Sequence, residues 1–125
     1  MAEVIYLELS YKIIGLAFRV FNELGYGMNE KHYQKAFVKE LEQEGINFER
    51  EKPVIINYKD KTIGKYFLDF VIDNKIIVEL KIRPRIGYTH IKQVFSYLRT
   101  TGYKLAILIY FTREGVKYRR VLNSL

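Results

Sequence analysis

The sequence predicts an α/β fold in which helices flank a mixed β-sheet. Two segments with helical spacing of apolar residues come first, and β-branched apolar runs follow them. A third helical segment then separates these runs from two final strands. The predicted order is therefore α, α, β, β, β, α, β, β. With 125 residues, 49% of them apolar, the chain suits one domain, residues 1–125, with its own core.

The first two helices are predicted from apolar residues that recur at intervals of three and four. The first covers about residues 10–24, and Gly25 is a natural C-terminal stop. The second begins after Asn29, a favourable N-cap, and extends to about residue 44, where Gly45 ends it. Both helices have an apolar stripe, so both are expected to pack on the sheet.

The strands are predicted from runs rich in Val, Ile and aromatic residues. In chain order they are residues 47–58, interrupted near Pro53, then 63–72, 76–82, 104–111 and 116–122. The run at 104–111 is apolar almost throughout, which predicts a central strand covered on both faces. Turns are predicted at 59–61 and 73–75. The third helix is expected to start at Thr89, as N-cap, and to reach about Thr100 before Gly102.

Two acids interrupt the apolar strand runs, and the turn between the runs decides how they meet. A three-residue turn centred on Asn74 places Asp69 opposite Glu79, because both lie five positions from it. Facing carboxylates repel, and a bound cation is the commonest reason to keep them. Lys81 shares a face with Glu79, because strand side chains alternate. This set predicts a metal-dependent phosphodiesterase site; the alternative is a structural ion pair between Glu79 and Lys81.

Charge is distributed unevenly along the chain, whose net charge is +7. Residues 1–51 carry six Lys/Arg and nine Asp/Glu, whereas residues 52–125 carry fifteen Lys/Arg and five Asp/Glu. The basic excess therefore lies in the same segment as the two acids and Lys81. A basic surface attracts phosphate backbones, so nucleic acid is the expected partner; the alternative is an ordinary solvated surface.

Compartment is inferred from what the sequence lacks. The chain has no cysteine, which excludes disulfides and thiolate metal sites and fits a reducing cytoplasm. Residues 1–4 do not begin a signal peptide, and the longest apolar run, Leu105 to Phe111, is too short to cross a bilayer. We therefore expect a cytoplasmic protein without a membrane partner.

Several short motifs carry a family resemblance. Residues 27–33 fit the pattern Gly-x-x-Glu-x-x-Tyr. The chain closely resembles the GxxExxY proteins, a branch of the PD-(D/E)XK nuclease superfamily. The remaining matching stretches are residues 24–27, residues 63–66 before Asp69, residues 78–81, His90 with Gln93, and residues 97–102.

The resemblance implies a fold and a set of site residues. The superfamily core has the order α-β-β-β-α-β, which the predicted order contains after one leading helix. The implied metal ligands are Asp69, Glu79 and the helical acid Glu30, and the main-chain carbonyl of Leu80 is a further candidate oxygen. Lys81 completes the implied Glu-x-Lys catalytic pair. Mg²⁺ or Mn²⁺ is the implied cofactor, because hard divalent ions prefer such oxygen ligands.

Further candidates lie after the Glu-x-Lys strand. Gln93 and Tyr97 resemble the Gln-x-x-x-Tyr element of the helicase-associated exonuclease branch, which implies a catalytic Gln93 and a Tyr97 near nucleic acid. Without the resemblance, Tyr97 reads as core and Gln93 as solvated. The candidate nucleic-acid contacts are Arg83, Arg85, His90, Lys92 and Tyr97. Each of the basic residues is also compatible with an ordinary surface charge, and Glu30 with a helix-dipole role.

The chain departs from the family pattern at two places. Many relatives have a basic residue shortly before the aspartate, where this chain has Phe67 and Leu68. The last core strand has Tyr110 where Asn is frequent. The resulting hypothesis is a divalent-metal-dependent nuclease acting on DNA, either as a monomer or as a homodimer. The alternatives are an inactive nuclease-like domain that binds nucleic acid, and a small domain that binds a protein partner.

Overall fold

A computed structural model describes residues 5–123, so residues 1–4, on which the expected lack of a signal peptide rests, lie outside the described part. Within residues 5–123, three helices and five strands follow the predicted order. The helices are α1 (Leu7–Leu24), α2 (Glu30–Gln43) and α3 (Tyr88–Thr101). The strands are β1 (Phe48–Tyr58), β2 (Lys61–Ile72), β3 (Ile76–Ile82), β4 (Leu105–Thr112) and β5 (Gly115–Leu122).

The strands form one mixed sheet in the order β1-β2-β3-β4-β5. Strands β3 and β4 are parallel, and every other neighbouring pair is antiparallel. Helix α3 makes the crossover between the two parallel strands. Helices α1 and α2 pack on one face of the sheet and α3 packs on the other. The predicted mixed sheet flanked by helices is therefore confirmed.

Strand β4 lies in the middle of this arrangement, as predicted. All eight of its residues are buried. Its side chains alternate between the two apolar clusters: Ile107 and Ile109 pack with α1 and α2, whereas Leu108 and Tyr110 pack on the α3 face. Burial on both faces explains why the run from 105 to 111 has no polar alternation.

The ends of the first two helices largely follow the predicted capping residues. Asn29 caps α2, since its side-chain oxygen accepts a hydrogen bond of 3.2 Å from the His32 amide. Gly25 ends α1 in the left-handed region, with φ of 70°. Helix α1 begins at Leu7, three residues earlier than predicted.

The prediction that Thr89 caps the third helix is wrong. Helix α3 begins at Tyr88, and Gly87 is its N-cap, without a side-chain capping bond among the described residues. The carbonyl of Gly87 accepts hydrogen bonds from the amides of His90 and Ile91, at 3.1 and 3.3 Å. These bonds form the first turn two residues earlier than a Thr89 N-cap would require.

Both predicted hairpin turns are present, but the first is one residue shorter than predicted, because Lys61 already pairs with Tyr58 at the start of β2. Lys59 and Asp60 have φ of 48° and 65°, which is the two-residue turn that fits the twist of adjoining strands. In the second turn the Lys75 amide donates to the carbonyl of Ile72 over 3.0 Å, and Ile72 pairs with Ile76. This is the register predicted from a turn centred on Asn74.

Strand β1 does not break near Pro53; its backbone is irregular at Glu51, and its register with β2 shifts between Ile56 and Asn57. Pro53 pairs with Phe67 on the edge strand, where a missing amide is tolerated. Glu51 has φ of 49°, a left-handed conformation that is unusual for a residue other than glycine. The strand therefore changes its pleat two residues before the proline.

This conformation reverses the two faces of the β1–β2 hairpin. Before Glu51, Arg50 lies over the Phe70 ring at 5.3 Å on the α2 side. After it, Lys52 hydrogen-bonds to the Tyr103 hydroxyl on the α3 side, at 3.0 Å. On β2, Phe70 packs in the α1–α2 cluster whereas Leu68, two residues away, packs in the α3 cluster. A regular strand would place both on one face.

The sheet also divides into two parts beyond the pair of Phe70 with Val78. Within the described residues, the β2–β3 ladder has three pairs, from Ile72 with Ile76 to Phe70 with Val78. Strand β3 continues beside β4 as far as the pair of Ile82 with Phe111, and β2 continues beside β1 to the turn at Lys59 and Asp60. We call the place where β2 and β3 stop pairing the fork.

Within residues 5–123, every helix is too short or too polar to cross a membrane.

The buried alternation of β4 predicts how stability depends on its side chains. Ile107 is fully buried, so Ile107→Ala should lower the free energy of unfolding by about 2–5 kcal/mol. Ile63 is 64% exposed, and Ile63→Ala should change it by less than about 0.5 kcal/mol. Urea unfolding followed by circular dichroism measures both values. Equal losses in the two variants would contradict the central position of β4.

Candidate active site

Asp69 and Glu79 lie at the fork, and we call them the acid pair. Each carboxylate accepts a hydrogen bond from the main chain of the other strand. The Asp69 amide donates to Glu79 Oε2 over 2.7 Å, and the Leu80 amide donates to Asp69 Oδ2 over 3.0 Å. Side chains thus continue the ladder where backbone pairing stops. The two acids converge because each holds the opposite strand.

The acid pair is largely removed from water. Glu79 is 4% exposed, and the side chain of Asp69 is 20% exposed. Lys81 reaches the same place, with its Nζ 4.0 Å from Asp69 Oδ2 and its side chain 23% exposed. The structure therefore brings together three sequence-predicted site residues, Asp69, Glu79 and Lys81. One ammonium near two carboxylates leaves negative charge uncompensated.

That imbalance changes how the carboxyls hold protons. Burial, followed by the charge of Asp69, raises the pKa of Glu79 to about 8. Burial also raises the pKa of Asp69, although the Lys81 ammonium and the Leu80 amide oppose the shift. Such shifts mark a place that a proton, or another cation, would stabilise.

Glu30 approaches this centre without joining the pair. It is the first residue of α2, and its charge contributes to raising the pKa of both Asp69 and Glu79. Across residues 5–123, however, no three His, Cys, Asp or Glu side chains gather closely enough to hold one metal ion. The nearby oxygen donors are therefore the acid pair, with Glu30 as a neighbouring charge.

Aromatic residues close the site on the α3 side. Tyr97 is buried and stacks on Tyr66, with ring centroids 4.0 Å apart. Burial, then the charge of Glu79, raises the pKa of Tyr97 to about 12, so its hydroxyl keeps its proton. His90 Nδ1 and the Tyr110 hydroxyl are hydrogen-bonded to each other. Burial, with the nearby charges of Lys81 and Arg83, lowers the pKa of His90, which favours a neutral imidazole.

Four of the remaining predicted residues, Arg83, Arg85, Lys92 and Gln93, are exposed. Gln93 is exposed on α3, one turn before Tyr97. Lys92 is also exposed, and its Nζ lies 5.4 Å from the centroid of the Tyr88 ring. Arg83 and Arg85 are exposed on the loop between β3 and α3, which begins just beyond Lys81. Leu80 has a buried side chain and contributes its amide to the acid pair.

The structure adds residues that the sequence did not single out as site residues. A cleft of about 300 Å³ opens beside Asp69 and is lined by Gln34, Arg50, Glu51, Phe67 and Asp69. Arg50 donates to Gln34 Oε1 over 3.2 Å, and its charge lowers the pKa of Asp69. The one sequence signal for this cleft was Phe67, which stands where many relatives have a basic residue shortly before the aspartate. Arg50 had none, because its approach depends on the pairing of β1 with β2, which places Arg50 opposite Phe70.

Comparisons with known proteins agree with this geometry. The model of the PD-(D/E)XK nuclease superfamily matches residues 7–121. Among solved structures, the crystal structure of SSO0001 superposes with a TM-score of 0.54 at 17% identity, covering 95% of this chain and 79% of that one. An alkaline exonuclease (LHK-Exo) from Laribacter hongkongensis gives a TM-score of 0.55 at 12% identity, covering 99% and 73%. No curated protein matches the chain.

At 17% and 12% sequence identity, the two matches to solved structures show similarity of fold alone. The family match is broader, since it extends from the first turn of α1 to the last strand and includes Asp69, Glu79 and Lys81. On this evidence the chain belongs to the PD-(D/E)XK nuclease superfamily.

Proposed function

We propose that this chain is a divalent-metal-dependent nuclease that hydrolyses phosphodiester bonds of DNA, with Mg²⁺ or Mn²⁺ as the ion. The observation that carries the proposal is the acid pair at the fork. Two carboxylates face each other, nearly buried, with one lysine beside them. Membership of a nuclease superfamily supports the same reaction class. We also propose that the chain belongs to the GxxExxY branch of this superfamily, because Gly27, Glu30 and Tyr33 fit the motif of that branch.

The chemistry of the donor set fits a hard cation. The hydrogen bonds of the described residues engage Glu79 Oε2 and Asp69 Oδ2, which leaves the second oxygen of each carboxylate for an ion. Burial raises the pKa of both groups, so a bound cation would stabilise their charged forms. Asp69 and Glu79 would hold the ion, with the Leu80 carbonyl or Glu30 as further oxygens. Two or three protein ligands suffice, because Mg²⁺ usually keeps several waters.

When bound, the ion would supply Lewis-acid activation of the phosphoryl oxygen and of a water. Lys81 has a separate role, because an ammonium cannot ligate a cation. From 4.0 Å beside Asp69 it would orient the attacking water, or offset the charge that develops on the phosphate. Gln93, on the exposed surface of α3, would contact the water or the phosphate from outside. Tyr97 retains its proton and closes the apolar side of the site.

Electrostatics supports a nucleic-acid substrate, for which we propose DNA. The segment after residue 51 carries a net charge of +10 and includes the loop with Arg83 and Arg85. This loop follows Lys81 directly, so its guanidiniums would grip phosphates next to the scissile one. His90 and Lys92 begin the helix after this loop and would extend the same surface.

The separate role of Lys81 predicts that binding and cleavage can be uncoupled. Lys81→Ala should retain Mn²⁺ and DNA binding but lower the cleavage rate by about 10²–10⁴, the usual loss for a positioned proton-transfer or charge-stabilising group. Glu79→Ala should lose both metal and cleavage. Calorimetric titration of Mn²⁺ and gel assays of single- and double-stranded DNA and RNA, with Mg²⁺, Mn²⁺ or EDTA, measure these effects.

A matched control for Lys81 lies at the other end of the hairpin. Lys75 is an exposed residue of the turn, paired with Asp73 at 3.4 Å, and Lys75→Ala should cleave at the wild-type rate. Equal cleavage by wild type and Lys81→Ala would contradict the assignment of the site. A wild-type protein that binds metal and DNA but cuts none of these substrates would favour the inactive binding domain.

The raised pKa of Glu79 predicts a pH dependence of stability without metal. The ordinary value of 4.5 becomes about 8 in the folded protein, so folding favours the protonated carboxyl. Its contribution is fully present below pH about 4.5 and is lost as pH rises through about 8. In EDTA, the unfolding free energy should therefore fall between pH 6 and pH 9, and Glu79→Gln should fall less. Parallel urea titrations that gave the same fall for both proteins would refute this assignment.

The basic loop predicts salt-sensitive binding. If about five phosphates are contacted, the slope of log affinity against log salt should be near −4 to −5 for duplex DNA. Changing both Arg83 and Arg85 to Glu should weaken binding and flatten this slope. Arg99 and Lys104, exposed at the other end of α3 and of the sheet, provide a control of equal charge change. Anisotropy titrations at several salt concentrations measure the slopes, and equal losses in both double variants would rule out the loop as the contact.

A further inference from the structure

The hairpin of β1 and β2 continues past the fork as a two-stranded arm, which we define as residues 52–67. Strand β3 last pairs with β2 at Phe70, so these residues lie beyond the shared sheet. The arm carries four lysines and one acid, Asp60, for a net charge of +3. A basic arm that begins at the acid pair is placed to meet the same ligand as the site.

The two faces of the arm differ in what covers them. On one face, Tyr66 stacks against Tyr97 of α3 and Val54 packs in the same cluster. The other face is apolar and open: Ile55 is 44% exposed, Ile63 is 64% exposed and Phe67 is 54% exposed. The reversed pleat at Glu51 turns this face toward the α2 side, next to Asp69.

Phe67 is the member of this face that belongs to the active-site cleft. Its side chain lines the 300 Å³ cleft together with Asp69 and Arg50. The ammonium of Lys65 lies 5.1 Å from the centroid of its ring. An exposed ring flanked by an ammonium and a guanidinium matches one nucleotide, because the base can stack on the ring while phosphates meet the cations.

We infer that the arm holds an unpaired nucleic-acid strand, with one base stacked on Phe67 and adjacent phosphates near Arg50 and Lys65. The inference rests on the proposed function and assigns its substrate class: single-stranded DNA, or a duplex with an unpaired segment at the site. A regular duplex hides its base faces in the stack, so it cannot supply this contact.

Charge argues against the other occupants of this face. A second copy of the chain would bring a net charge of +7 and an equally basic arm, so the two arms would repel. Glu51 and Asp69 line the cleft beside Arg50, so the charge that favours a polyanion over an apolar protein partner is that of the arm, with four lysines and one acid. A polyanion with exposed π-faces satisfies both the lysines and the ring.

The test is to compare binding of a single strand and of a duplex of the same sequence and length in EDTA, where a metal-dependent enzyme does not cut. Phe67→Leu removes the ring but keeps apolar volume, and Phe67→Tyr keeps the ring. Phe67→Leu should weaken single-strand affinity by about 10-fold, the size of one lost base–aromatic stack, and duplex affinity by less than about 2-fold. Phe67→Tyr should remain close to wild type. Fluorescence anisotropy measures the affinities, and circular dichroism checks the fold.

A control variant separates stacking at the arm from the loss of any exposed ring. Tyr11→Ala removes a ring that is 66% exposed on α1, outside the arm. It should bind the single strand as wild type does. Equal losses on single strand and duplex in Phe67→Leu, or no loss at all, would overturn the inference. Binding of neither nucleic acid would also overturn it and would favour a protein occupant.

Cleavage assays with Mg²⁺ and Mn²⁺ keep this inference distinct from the proposed function. Cleavage of duplex with no preference for unpaired strands would overturn the inference and leave the nuclease assignment intact. Selective, Phe67-dependent binding of single strands without cleavage by any ion would support the arm contact and overturn the assignment of hydrolysis.

Discussion

The structure depends on the exchange of two hydrogen bonds between Asp69 and Glu79 and the main chains of the opposing strands. At this level backbone pairing would bring two carboxylates face to face, and their repulsion would oppose the ladder. The side chains instead accept the amides that the ladder no longer uses. Each amide donates a hydrogen bond that partly offsets a buried negative charge. The remaining free-energy cost of burying both acids is offset by the apolar packing of the strands on either side. The fork lies where this exchange replaces backbone pairing between β2 and β3.

Around the fork, the two faces of the sheet differ in their residue composition. The α1–α2 face is apolar and aromatic, with Phe37 and Tyr33 fully buried against β2 and β4, and it fixes the strands that carry the acids. The α3 face contains Lys81 and His90 together with Tyr66, Tyr97 and Tyr110. Polar groups are therefore concentrated on the face that has the smaller cluster of buried apolar residues. This division explains why Glu79 and Lys81 can occupy a strand whose other residues are almost all buried. Apolar packing on the α1–α2 face holds the strand that carries Glu79 and Lys81.

The sequence was informative where one residue type determines local structure. Turn formers around Asn74 determined the hairpin register, and with it the meeting of Asp69 and Glu79. It was uninformative where backbone conformation contradicts residue preference. A glutamate gives no sign of a positive φ at position 51, so the reversed pleat of the arm was not predictable. The wrong cap at Thr89 has the same origin, because the backbone of Gly87 determines that helix start. The contact of His90 with Tyr110 depends on how α3 crosses β4, which no local pattern records. Relatives often place a cation just before the aspartate in sequence; here Arg50 supplies one from the neighbouring strand.

The amides of Asp69 and Leu80 have one further property, which concerns observation rather than stability. Each donates to a carboxylate, so its proton experiences the charge of that carboxylate directly. Their nuclear magnetic resonance shifts will therefore move when the acids gain a proton or meet a cation, and the amide of Leu80 will report Asp69 while that of Asp69 reports Glu79. The protein thus contains a pair of native spectroscopic reporters, one for each acid, that need no label beyond ¹⁵N and no change of sequence. The occupancy of the two carboxylates can be followed separately, in solution, at the resolution of single peptide groups.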